Sequence, residues 1–201
     1  MGDLIVALAV FALVGSMSPG PNNLLVTVSG TAFGFVRTVP HMLGVAVGFA
    51  VMVMAIGLGL AKVFAVDPDI HRWLRMVGAA YLIYLAVRIA LAGDPGAGAG
   101  VGQGTRRPLG FVEAALFQWV NPKAWTLVLG VVAAFTTVGG NLTAELAVIA
   151  LVFVLAILPS LALWCLFGVA IAQFMSSPRA RRITNLVMAA LVALSVVMLF
   201  V

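Results

Sequence analysis

Two prolines in Ser18-Pro19-Gly20-Pro21-Asn22-Asn23 interrupt an apolar segment that carries no charge from Leu4 to Val36, and this break constrains the fold more than any other feature. Proline removes a backbone donor and blocks helix continuation, while hydrocarbon offers nothing to the groups set free. A broken helix survives there only where protein or a watery cavity satisfies those groups. A second interruption, Asn121-Pro122-Lys123, lies in another long apolar segment in the other half of the chain. Paired interruptions in corresponding positions point to a transporter's binding site.

Composition explains why a membrane must be considered. With 64% hydrophobic and 8% charged residues and a mean hydropathy of +1.21, the chain has too little polar surface to coat a soluble globule. It reads as an all-α integral membrane protein. The net charge of +5 does not imply a nucleic-acid partner, because the basic residues lie between apolar spans, where they orient a chain in the bilayer. Cys165 stands alone in an apolar run and reads as a small buried hydrophobe, not as part of a disulfide framework or Cys-based metal site. Met1-Gly2-Asp3 lacks the basic n-region of a signal peptide, so the first apolar segment is expected to be retained. The sequence also has no Walker-type Gly-Lys loop, HExxH or Cys-x-x-Cys, which leaves primary pumping, intramembrane proteolysis and redox chemistry without support; no enzyme activity and no cofactor are expected. Asn141-Leu142-Thr143 matches a glycosylation sequon, a string short enough to arise by chance.

A crossing helix needs about 20 mostly apolar residues. Six segments meet that need: Leu4 to Phe33 with its break, His41 to Ala61, Trp73 to Ala92, Leu109 to Val138 with its break, Ala144 to Met175, and Ile183 to Val201. The first, fourth and fifth are longer than a roughly 30 Å hydrocarbon layer requires, so they must tilt, kink or dip. Pro159-Ser160 predicts a kink in the fifth, with a gate as the alternative. Gly44 and Gly48 form a small-xxx-small pair on the second, a surface for close helix approach and the basis for expecting a homodimer. The Gly/Ala-rich run from Gly93 to Gly104 reads as a flexible connector. It divides a single transmembrane domain, residues 1–201, into repeat 1 (about 1–92), a linker (93–108) and repeat 2 (about 109–201). Each repeat holds three spans and starts with a broken helix; since three is odd, the second enters upside down, which makes an inverted repeat.

Arg37, Arg88, Arg106, Arg107, Arg179, Arg181 and Arg182 fall on one face of this arrangement. Only Lys62, Arg72 and Arg75 fall on the other, offset by Asp67 and Asp69. The positive-inside bias places both termini outside the cytoplasm. Ser177-Pro178 reads as a helix start whose following arginines meet anionic head groups.

An interrupted helix exposes N–H groups at one end and carbonyls at the other, with opposite partial charge. A zwitterionic amino acid needs such a pair for its carboxylate and ammonium groups. Asn22, Asn23 and Asn121 offer donors and acceptors, and Gln118 lies one turn before Asn121; the amides either bind a substrate or cap the broken ends, and one residue can do both. Lys123 is the one Lys or Arg well inside a span. A charge near the bilayer centre costs about 2.5 to 3.5 kcal/mol on insertion scales, so Lys123 is a candidate for binding a carboxylate, with pairing to Glu113 or snorkelling as alternatives. Asp3, Glu113 and Glu145 all sit near span ends, so no carboxylate is placed to receive a second cationic group, which favours a substrate with an uncharged side chain. Proton coupling needs a titratable group, for which Glu113 and His41 are the candidates; His41 at a span end is otherwise an interfacial residue. Trp73, Tyr81 and Tyr84 read as packing or interface aromatics.

These residues resemble the LysE/RhtB amino-acid exporters. The likeness rests on Ser18-Pro19-Gly20-Pro21-Asn22-Asn23, Gly34 with Arg37 before Gly44 and Gly48, Gly78-Ala79-Ala80-Tyr81-Leu82-Ile83-Tyr84-Leu85-Ala86, and Leu116-Phe117-Gln118-Trp119-Val120-Asn121-Pro122-Lys123-Ala124. It implies a bacterial inner-membrane secondary exporter of amino acids, driven by an ion gradient, with Pro19, Gly20, Pro21, Asn22, Asn121, Pro122 and Lys123 in the motif positions. Threonine or homoserine is the first substrate guess. Arg37-Thr38-Val39-Pro40-His41 departs from the resemblance by lacking a Gly two residues after the Arg. The resulting expectation is alternating access by rocking of one repeat against the other. A passive channel and a non-transporting scaffold are the rival readings.

Overall fold

The computed structural model describes residues 2–60, 68–91, 107–137, 139–174 and 177–197, and the described residues form helices and their connections. The first expected span is two helices, α1 (Gly2–Met17) and α2 (Pro21–Phe33), bent by 56° at the break. Pro21 takes the first position of α2, where no N–H is needed, behind an extended Gly20. At the other end Gly34 adopts φ 80°, a left-handed conformation that suits glycine, and α3 (Phe35–Ala55) begins at once.

The run Arg37-Thr38-Val39-Pro40-His41 is therefore helical, and the second span starts six residues earlier than the sequence predicts. Pro40 lies close enough to the helix start to remove only one ladder bond. Beyond α3 a π turn, Ile56–Leu60, contains Gly59 at φ 124°. Next comes α4 (Pro68–Ala90). The fourth expected span consists of α5 (Phe111–Phe117), a 3₁₀ turn (Gln118–Val120) and α6 (Pro122–Phe135), with Asn121 extended between them.

The longest described helix, α7 (Leu142–Gln173), contains Pro159 and continues beyond it. Asn141, part of the apparent sequon, caps its start by accepting the Ala144 N–H. α8 (Pro178–Leu194) starts as the sequence predicts, with Ser177 Oγ accepting the Ala180 N–H at 3.1 Å. Among the described residues three helices are long and apolar enough to cross a membrane: Phe35–Gly59, Arg72–Ala90 and Leu142–Gln173. The bent pair α1 and α2 passes the same test when taken together, as a broken span or a re-entrant turn, whereas α5 with its 3₁₀ turn and α6 are shorter apolar pieces. The connector from Gly93 to Gly104, with Lys62, Asp67 and Arg106, lies outside the described residues.

α7 is the spine of the bundle, packed by α1, α2 and α3, while α5 lies on α3 and α8 on α4. In lipid the helices gain little from hydrophobic association, so close contact depends on small residues and interhelical hydrogen bonds. Both are present between α2 and α7. A Cβ added at Gly30 would lie 2.3 Å from the Cys165 carbonyl oxygen, and one at Gly168 would lie 2.1 Å from that of Thr27. The Thr27 and Thr31 hydroxyls donate across the same seam to the carbonyls of Trp164 and Gly168, each at 3.1 Å.

Gly44 and Gly48 serve the α3–α5 crossing in the same way, with added Cβ atoms falling 2.2 Å from the Phe111 carbonyl oxygen and 2.6 Å from Ala115 Cα. This corrects the expectation that the pair offers a homodimer surface: it is consumed inside the chain. The outer surface is apolar, with Val14, Leu155, Leu163 and Phe167 exposed as a lipid-facing side requires. Trp73 and Tyr84 are likewise exposed, while Tyr81 packs its ring on Phe117. Cys165 is fully buried, as its surroundings in the sequence predict.

Candidate functional site

The fold brings the two breaks together. Asn22 Nδ2, in the first turn of α2, donates to Gln118 Oε1 at 2.9 Å, and the Gln118 amide also donates to the Ala114 carbonyl at 2.8 Å. Gln118 is fully buried, and Asn121 and Asn23 are nearly so. Two amides 96 residues apart thus pair side chain to side chain. Asn121 takes a different role, its Oδ1 accepting the Lys123 N–H at 3.2 Å as the N-cap of α6. Of the two readings left open for the amides, Asn121 therefore caps, whereas Asn22 reaches across to the other break.

Lys123 crosses the same gap. Its Nζ donates to the Ser18 carbonyl at the end of α1. Gly20 makes the approach possible, because a Cβ there would lie 2.6 Å from Lys123 Cδ. The alternative pairing of Lys123 with Glu113 is corrected: Glu113 is held instead by Arg107 through two contacts of 2.7 and 2.9 Å and by the Gly110 N–H at 2.6 Å. The Arg107–Glu113 pair is exposed to solvent or headgroups, where such pairs contribute little to stability.

The carbonyls freed at the end of α1 are satisfied by protein. Asn23 Nδ2 donates to both the Ser16 and Ser18 carbonyls at 2.9 Å, Ser160 Oγ reaches Ser16 O at 2.8 Å, and Trp164 Nε1 reaches Met17 O at 3.2 Å. Of the two ways to satisfy the freed backbone, protein or a watery cavity, these three groups take the first. Pro19, Pro21 and Pro122 shape the chain around the site without lining its cavity.

That cavity measures about 40 Å³, room for a handful of water-sized groups at roughly 10–15 Å³ each. One side is polar, formed by Gly20, Asn22, Asn23, Gln118, Asn121 and Lys123; the other is apolar, with Val45, Phe49, Phe153, Ile157 and Leu161. Phe49 and Phe153 stack at 4.7 Å on the boundary between α3 and α7. Among the described residues no carboxylate pairs with Lys123, so the polar wall combines one cation with amide donors and acceptors. Such a wall can hold a carboxylate and an ammonium group side by side, while the apolar wall suits a short side chain.

The proton-coupling candidates lie apart from this cavity. His41 is not interfacial, as the sequence suggests, but fully buried, because α3 starts before it and turns it inward. Its Nδ1 lies 3.5 Å from Ser29 Oγ, and its Nε2 has no partner. Sequence reasoning missed Ser16, Thr27 and Trp164, and took Ser160 only as part of a kink. Their hydroxyls and indole gain meaning only when α7 lies against α1 and α2.

Comparison with known proteins adds an independent line. The family model described as LysE type translocator matches residues 13–201. A protein of Salmonella choleraesuis (strain SC-B67) named cysteine/O-acetylserine efflux protein is 37% identical over 123 residues, 60% of this chain and 59% of that protein. The identically named protein of Escherichia coli (strain K12) is 33% identical over 121 residues, again 60% of this chain and 59% of the relative. The matches thus span about 59% of the length of these curated relatives. No solved structure matches.

Proposed function

Because the chain belongs to the LysE type translocator family, we propose that it is a secondary exporter of small amino acids with uncharged side chains, working by alternating access in the bacterial inner membrane. The observation that carries this reading is the meeting of both helix breaks at one cavity, with Lys123 and paired amides on one wall and apolar side chains on the other. The relatives' names supply the substrate class: cysteine and O-acetylserine share a short side chain with one polar branch. Threonine and homoserine belong to the same class and are ranked behind these two. Lys123 and the amides take the carboxylate and ammonium groups; the apolar wall takes the side chain. Counterflow in proteoliposomes with labelled cysteine, O-acetylserine, threonine and homoserine tests this; absence of exchange for every one of them would sink it.

Two inverted three-helix repeats with six crossings remain our proposal for the architecture, and both termini are placed on the periplasmic side. Part of the helix pairing fits the repeat: α5 on α3 matches α1 on α7 when the halves are exchanged, and α3 with α7 and α4 with α8 pair across the two halves, while α2 packs far more closely on α7 than α6 does on α3. Because the Thr27 and Thr31 bonds join α2 to α7 across the two halves, the movement that opens the cavity to each side in turn is a shift of the α1–α2–α7 unit against the second break, in place of whole-repeat rocking.

For proton coupling we favour His41 over Glu113. Glu113 is already committed to Arg107, whereas His41 keeps a ring nitrogen unpartnered inside the bundle, with Glu113 the carboxylate whose charge acts on the ring. His41→Gln is expected to retain exchange of amino acid for amino acid while losing about 100-fold in uphill export driven by a proton gradient, the low end of what one general proton-transfer group contributes. Equal effects on both modes would remove His41 from the coupling role.

A further inference from the structure

Ser16 stands in the last turn of α1, lines the cavity, is 9% exposed, and has a buried Oγ with no hydrogen-bond partner. Hydroxyls within helices usually fold back on a carbonyl one turn earlier. In this chain Ser18 does so to Gly15 O at 2.9 Å, Thr27 to Asn23 O at 2.9 Å, Thr38 to Gly34 O at 2.8 Å and Thr136 to Val132 O at 2.7 Å. Ser16 departs from that pattern. Its carbonyl is clamped by Asn23 and Ser160, so the residue is held in place while its hydroxyl remains unused. A buried polar group without a partner is costly, and such an exception at a binding cavity asks for an explanation.

The surroundings limit what the missing partner is. Beyond the polar wall, the cavity is lined by Val45, Phe49, Phe153, Ile157 and Leu161, none of which offers a side-chain polar atom. A hydroxyl both donates and accepts, so it can bond a hydroxyl, a thiol or an ester oxygen equally well.

We propose that Ser16 Oγ is a specificity-determining group that binds an oxygen or sulfur atom on a substrate's short side chain. The proposal rests on the export reading above and refines it. Lys123 and the amides hold the part common to all amino acids, and Ser16 distinguishes a side chain bearing oxygen or sulfur from its all-carbon counterpart.

Competitive counterflow with two matched pairs, serine against alanine and cysteine against 2-aminobutyrate, measures this directly. The wild-type protein should prefer the polar member of each pair, and Ser16→Ala should reduce both preferences by about fivefold, the effect of one neutral hydrogen bond. Alanine preserves the helix and removes an unsatisfied hydroxyl, so the variant is expected to insert and fold. Ser16→Cys, which keeps a weak donor, should retain part of the preference. If Ser16→Ala slows all four substrates alike, or leaves the ratios within twofold of wild type, the assignment is overturned while export stands. If the wild-type protein exchanges none of the four, this inference fails, and the export reading fails with it only when O-acetylserine, threonine and homoserine are not exchanged either.

Discussion

Lys123→Met is expected to lower amino-acid counterflow by about 100-fold while leaving the amount of protein in the membrane unchanged. A hydrogen bond to a charged group is worth roughly 1.5–3 kcal/mol, and losing it at a substrate's carboxylate converts to a loss of about ten- to 150-fold. Insertion should not suffer, because methionine removes a charge whose placement near the bilayer centre is unfavourable. The internal loss is confined to the bond from Nζ to the Ser18 carbonyl, which Asn23 still serves. Flux measured per inserted molecule separates binding from folding. A Lys123→Met protein that exchanges amino acids at the wild-type rate would exclude Lys123 as the carboxylate anchor.

The second large effect is on stability. Gly168→Val should lower the melting temperature of the purified protein by about 5–15 °C. The new Cβ would lie 2.1 Å from the Thr27 carbonyl oxygen, a backbone atom that cannot rotate away, so α2 must lift from α7. Overpacking costs about 1–3 kcal/mol, and the bonds from Thr27 and Thr31 across the seam add roughly 0.6 kcal/mol each. At about 2–4 °C per kcal/mol for a chain of this size, the stated shift follows. Gly130→Ala is the control, since its added Cβ meets only Phe11 Cζ at an ordinary 3.7 Å. Equal shifts for the two variants would show that the glycine seam does not hold the bundle together.

The seam also bears on how the molecule moves. α1 and α2 are tied to α7 by Ser160, Trp164, Thr27 and Thr31, so the first break travels with α7 as one unit. Lys123 and the Asn22–Gln118 pair are the links from that unit to the second break. A substrate carboxylate competing for Lys123 would loosen one of them, which couples binding to separation of the two breaks.

Much of this was legible before the fold. Prolines in uncharged apolar segments determined that two helices break, because a missing N–H and a ring clash act locally whatever the surroundings. Asn22, Gln118 and Lys123 were likewise recognisable, since amides and a cation in hydrocarbon need partners wherever they lie. The caps at Ser177 and Asn121 followed from short-range chemistry and are present as read. Partner choice was not legible. Gly44 and Gly48 presented a close-packing surface, but only the bundle made α5 its occupant. His41 looked interfacial because it stood at the start of the second expected span; Gly34 makes the turn earlier and carries the histidine inside.

The sequence by itself determined that this chain is helical, apolar enough for a membrane, and broken at two polar points, because those properties arise from residues within a turn or two of each other. Tertiary structure alone decided that the α1 carbonyls are capped by Asn23, Ser160 and Trp164, that Glu113 goes to Arg107, and that Ser16 keeps a free hydroxyl at the cavity. The physical reason is that hydrogen bonds across a bundle depend on the approach and rotation of whole helices, set by glycine seams distributed along the chain, and no local pattern encodes that geometry.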